Sequence, residues 1–141
     1  MRVSDMTGAL LDFWVARADG YQRGTVGEGV DAFNGGRGPI VFAISNGMLR
    51  VAKKEIVSDW APSVDWTQGG PIIERARIQI VPQNVNHLRW SAYMDEGLRP
   101  GKFPVEQYGE TLLIAAMRAY VASKFGDEVE GPTQPASEGQ R

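Results

Sequence analysis

The sequence predicts an α+β fold: a small antiparallel sheet of two hairpins, packed with an N-terminal helix, a short central helix and a C-terminal helix. Three observations carry that prediction. Residues 4–19 and 110–125 place apolar side chains at helical spacing. Asn46-Gly47 stands between two apolar runs, a strong hairpin signal. Residues 78–93 contain apolar and polar residues in alternation, the period of a half-buried strand. Helices at both ends with strands between them suit segregated layers rather than repeated βαβ units.

The first helix takes Ser4 as its N-cap, and Asp5 suits the positive end of its dipole. Leu10, Leu11, Trp14, Val15 and Ala18 form its apolar face, and Gly20 is placed to end it. Residues 20–38 carry too many glycines for regular structure and read as a long loop, with one short helical turn near Asp31–Phe33. Gly27, Gly29 and Ala32 fit a loose dinucleotide-binding spacing, but the strand that this motif requires upstream is replaced by a helix. In the hairpin, a two-residue loop would set Ile44 opposite Leu49 and Phe42 opposite Val51, all on one core-facing side. Lys53, Lys54 and Glu55 suit a solvated strand end.

A loop follows to Gly70. Gly70-Pro71 then reads as the start of the short central helix, with Pro71 at its first position and Glu74 in its first turn. Ile78 and Ile80 share one face of the next strand, which Pro82 ends. After a turn, Leu88, Trp90 and Ala92 face one way, and His87, Arg89, Ser91 and Tyr93 the other. Residues 95–107 read as irregular. The C-terminal helix buries Leu113, Ala116, Met117, Tyr120, Val121 and Phe125 and is capped by Gly126. Residues 1–126 are thus expected to form one domain. Residues 127–141 are poor in apolar side chains and are expected to be a disordered tail.

Composition narrows the functional classes. The 141 residues suit a single domain with a real core. A net charge of −2, from 15 basic and 17 acidic residues, weighs against general nucleic-acid binding. The lack of cysteine excludes thiol chemistry, and a single histidine, His87, excludes a histidine-rich metal site. No run approaches the roughly 18 apolar residues of a membrane span. Asp5, Asp12 and Arg17 interrupt what would be a signal-peptide core, so the expected location is cytoplasmic. No Ser-His-Asp spacing, Walker loop or carboxylate pair appears, and His87 has no nucleophile beside it. Neither catalytic residues nor a cofactor are predicted.

Three segments stand together: "MTGALLDFWVARADG", "SVDWTQGGPIIERARI" and "LIAAMRAYVASKFGDEV", with a Trp90-Ser91-Ala92 strand between the last two. In this order and spacing the chain resembles the NinX-like family of small phage and prophage proteins. The resemblance spans most of residues 4–129 and is carried above all by the Asp65-Trp66 to Glu74 core. It implies a phage-encoded accessory protein in an infected bacterial cell, and no reaction.

The leading candidate site is the corner formed by Asp65, Trp66, Thr67, Gln68, Gly69 and Gly70, with Arg75 nearby. A helix starting at Pro71 would leave the amides of Ile72 and Ile73 free for an anion. Trp66 could stack on a ring and Gln68 could read polar edges. In the purely structural reading, Asp65 caps a turn and Trp66 is core. Tyr21, Arg23, Phe33 and Arg37 could form a lid. Arg75 and Arg77, with His87 and Arg89, could gather into a basic patch across the second hairpin. Two functions compete: capture of a nucleotide-like small ligand to counter host defence, and a protein-interaction module that inhibits or redirects a host protein. An open sheet edge would also permit a homo-oligomer.

Overall fold

The computed structural model describes residues 1–24, 38–44, 46–53, 56–84, 89–95 and 104–130. A 3-10 turn at Val3–Asp5 precedes helix α1 (Gly8–Ala18). The short strand β1 (Gln22–Arg23) follows, then β2 (Ile40–Ala43), β3 (Leu49–Lys53) and β4 (Ile56–Asp59). Helix α2 (Trp66–Ala76) leads to β5 (Gln79–Gln83), β6 (Arg89–Met94), β7 (Val105–Gly109) and helix α3 (Leu112–Phe125). The α+β class holds. The strands form two sheets rather than one, in the orders β1-β2-β3-β4 and β5-β6-β7.

Helix α3 is the centre of the core. It packs on β6 and β7, on α1 and on α2. Leu113, Ala116, Met117, Tyr120 and Val121 are buried as expected, together with Ala115, Ala119 and Ala122. The alanines leave room for neighbours on several sides, so burial extends beyond a single stripe. Phe125 remains 41% exposed and touches Trp14 edge-on. Thr111 caps the helix by accepting from the Ile114 amide at 3.1 Å, and Gly126 ends it with φ +91°.

The first hairpin corrects the expected register by one residue. Ala43 pairs with Leu49, Val41 with Val51, and Phe42 with Arg50. The Gly47 amide donates to Ile44 O and the Ile44 amide to Met48 O. Gly47 adopts φ +86°. This is the geometry of a three-residue loop, a turn followed by a left-handed glycine, in place of a two-residue loop. Asn46 supports it by accepting from the Met48 amide. A slip of one residue exchanges the faces. Val41, Leu49 and Val51 join the main core, while Ile40, Phe42 and Ala52 form a second cluster with Ile44.

Three strands were not anticipated. β1 has only two residues. β4 is an edge strand exposed at all four positions, so it shows no burial alternation to read. β7 does alternate, but its inward positions are Val105, Gln107 and Gly109, which mask the apolar signal. In the second hairpin, Gln79 lies opposite Tyr93, Ile80 opposite Ala92 and Gln83 opposite Arg89. Pro82 pairs with Trp90 within β5 rather than ending it; β5 lies at the edge of its sheet, where proline is tolerated.

Helix α1 begins at Gly8, later than Ser4, with Thr7 at the cap and the Ser4 region wound as the 3-10 turn. The Val3 amide donates to Asp127 O and the Val129 amide to Met1 O, at 2.8 and 2.9 Å. Hydrogen bonding therefore extends past residue 126 to Val129, into the segment expected to be tail.

Candidate functional site

The chain from Asp59 to Gly70 turns between β4 and α2. Its inner side is anchored on α1. The Trp60 indole nitrogen donates to Asp12 O at 2.8 Å, and Tyr21 packs on the Trp60 ring. The Ser63 amide and hydroxyl donate to the two Asp12 carboxylate oxygens at 2.8 and 3.1 Å. Asp12 and Ser63 are both buried. Burial pushes the Asp12 carboxyl up to about 6, and the Ser63 hydrogen bonds hold that rise down.

The outer side is fixed by α2. The helix starts at Trp66, not at Pro71, with Asp65 as its cap. Asp65 accepts from the Thr67 amide at 2.9 Å and the Thr67 hydroxyl at 2.7 Å. The Gln68 and Gly69 amides donate to Asp65 O. The expected anion site at Ile72 and Ile73 is thereby corrected: those residues lie within the helix, past its first turn. Pro71 likewise sits inside the helix, on an exposed face. The Gln68 amide spans the corner, its nitrogen donating to Asp59 O and its oxygen accepting from the Ala61 amide at 2.7 Å. At Gly69, a Cβ would stand 2.5 Å from Pro62 O and 2.7 Å from Leu113 Cδ2, so only glycine lets the helix come this close.

Arg75 lies further along α2 and forms an ion pair with Asp19. Asp19 also accepts from the Tyr120 hydroxyl at 2.9 Å, which ties α1, α2 and α3 together. Burial, reinforced by Asp19, pushes the Tyr120 phenol up to about 12. The expected basic patch does not assemble among the described residues. Arg75 is held by Asp19, Arg77 is the left-handed C-cap of α2 at φ 58°, and Arg89 stacks on Tyr108. His87 lies outside the described residues. Of the lid residues, Tyr21 packs on Trp60 and Arg23 lies over the Phe13 ring, while Phe33 and Arg37 lie outside the described residues.

What remains free at the corner is apolar. Trp66 is 56% exposed and Val64 72% exposed. The Trp66 indole lies beside Gly70, where a Cβ would stand 3.2 Å from the ring. Trp66 is therefore neither core nor the wall of a closed pocket. A cavity of about 320 Å³ opens where residues 59–64 meet α1 and the first hairpin, lined mainly by apolar groups that include Ala9, Met48, Leu49, Trp60 and Val64 but not by Trp66. Asp65 caps the helix whose first turns hold Trp66 to Gly70. The sequence reading missed Asp12, Ser63, Asp19 and Tyr120 as partners. The one available signal was Asp12 itself, an acid set among Leu11, Phe13 and Trp14.

The fold and corner define a small two-sheet α+β protein that presents an exposed tryptophan on an internally bonded frame. The chain matches the family model described as "Bacteriophage P22, NinX" over residues 2–124 and belongs to that family. It is thus a phage accessory protein. No curated protein matches it. Among the described residues, no helix is long and apolar enough to cross a membrane, and no group of His, Asp or Glu is placed to hold a metal.

Proposed function

We propose that the protein is a non-catalytic phage accessory protein that uses the Val64–Trp66 corner to dock on a host protein and inhibit or redirect it. One observation carries this reading: Trp66 is exposed while the polar groups around it are already satisfied. Asp65, Gln68 and Arg75 have internal partners. Gly69 is packed against Pro62 and Leu113. A tryptophan on a rigid frame is the usual anchor of a protein interface, and preorganisation limits the entropy lost on docking. Affinity capture from host lysate tests it. A specific partner should be recovered by the wild type and lost by Trp66→Ala with its fold intact. Identical recovery by both proteins would defeat the proposal.

A second reading keeps the corner as the site of a nucleotide-like small molecule, captured to counter host defence. The observation that favours it is the same exposed indole, because stacking a base on an aromatic ring contributes about 1–3 kcal/mol. Mass spectrometry of the denatured protein should then release a bound small molecule. A thermal shift with nucleotides should disappear in Trp66→Ala. Absence of both a released molecule and a shift would reject this second reading.

A further inference from the structure

A second cavity, of about 470 Å³, lies where the Val3–Asp5 turn meets β6, β7 and α3. This volume falls within the roughly 300–1,000 Å³ of small-ligand sites. Its polar lining is Ser4, Thr7, Arg89, Tyr108, Glu110 and Arg118. Trp66 does not line it.

Arg118 is half-buried, and neutral groups hold it in place. Its Nε donates to Met6 O at 2.9 Å and one terminal nitrogen, Nη1, to Tyr108 O at 2.6 Å. Among the described residues no carboxylate forms an ion pair with it, and Nη2 has no hydrogen-bond partner. Burial works against its charge, which Asp5 and Glu110 only partly offset from a distance. Asp5 is itself paired with Arg2 at 3.5 Å. A half-buried guanidinium with no carboxylate in direct contact is a place where a bound anion gains charge-assisted hydrogen bonds.

The other linings fit the same ligand. The Thr7 side chain makes no capping bond, and neither its hydroxyl nor that of Ser4 has a partner among the described residues. The Arg89 guanidinium lies over the Tyr108 ring at 4.1 Å, which leaves its outer face for a second flat group. Glu110 repels a bare anion but accepts hydrogen bonds from hydroxyl or amino groups. The lining therefore calls for an anion, a ring and donor groups in one molecule.

We propose that this cavity binds a small organic phosphate carrying a flat ring, of the nucleoside monophosphate class. The phosphate meets Arg118 and the Ser4 and Thr7 hydroxyls, the ring stacks on Arg89, and Glu110 accepts from the sugar or base. The site is independent of the Trp66 corner. Calorimetric titration of the full chain with AMP, GMP, CMP and UMP tests it, beside inorganic phosphate and adenosine. At least one monophosphate should bind saturably, and more tightly than phosphate or the nucleoside alone. Arg89→Ala, an exposed position, should weaken binding about 3-fold or more, the loss of one cation–π stacking contact. Arg118→Met, accepted only if its urea unfolding remains cooperative, should weaken it at least as much. Trp66→Ala should bind unchanged. The proposal is overturned if no monophosphate binds, if phosphate alone binds as tightly, or if Arg89→Ala binds like the wild type.

Discussion

Replacing Asp12 by asparagine tests the corner at its foundation. The side chain is 4% exposed and its carboxyl titrates near 6 in place of 3.8. Burial is the leading cause of the rise. The folded pKa lies above the unfolded value, so in the window between them the folded state keeps a proton that the unfolded chain has lost. Stability therefore falls as pH rises through that window and levels off above it. A shift from 3.8 to about 6 corresponds to about 3 kcal/mol in all, of which about 2 kcal/mol falls between pH 4.5 and 7.5. Asparagine keeps an acceptor for the Ser63 amide and offers a donor to the Ser63 hydroxyl, with no charge to bury. Urea unfolding followed by tryptophan fluorescence should show Asp12→Asn gaining about 2 kcal/mol on the wild type between those two pH values. Groups that titrate equally in both proteins cancel in the difference. A difference that stays constant with pH would refute the assignment of this carboxyl as a desolvated, titrating group.

Gln68→Ala removes both bonds across the corner and leaves the Ala61 amide and the Asp59 carbonyl without it. A loss of about 1–3 kcal/mol is expected in urea unfolding. Gly69→Ala brings a methyl against Pro62 O and Leu113, and should cost about 1–3 kcal/mol by thermal or urea unfolding. Trp66→Ala should change stability by no more than about 0.5 kcal/mol, because the ring is exposed. A large destabilisation there would show that the indole is structural.

Much of the α+β plan was legible because α1 and α3 carry apolar residues at helical spacing and end at glycines that local geometry favours. The hairpin at Asn46-Gly47 was legible as a turn but not in its register. A two-residue and a three-residue loop read alike in sequence, and the choice moves every side chain of β2 to the other face. β4 was silent because an exposed edge strand needs no alternation, and β7 because Gln107 and Gly109 occupy inward positions. At the corner, the sequence singled out Asp65 to Gly70 but misplaced the helix start. Gly70-Pro71 fits a first turn by local preference, whereas Asp65 caps α2 six residues before Pro71, and the Gln68 bridge to Asp59 and Ala61 fixes that start in three dimensions.

The sequence by itself determined the helices at either end, the presence of a hairpin and the segment most characteristic of the family. These depend on local spacing, turn chemistry and capping, which act over a few residues. Only the tertiary structure decided that the strands divide into two sheets, that Asp12 is buried against Ser63, and that Asp19 joins Arg75 to Tyr120. It also decided that Trp66 points outward and that Arg118 faces a cavity with no carboxylate in direct contact. Each of those outcomes is set by groups far apart in the chain, and packing, not local preference, brings them together.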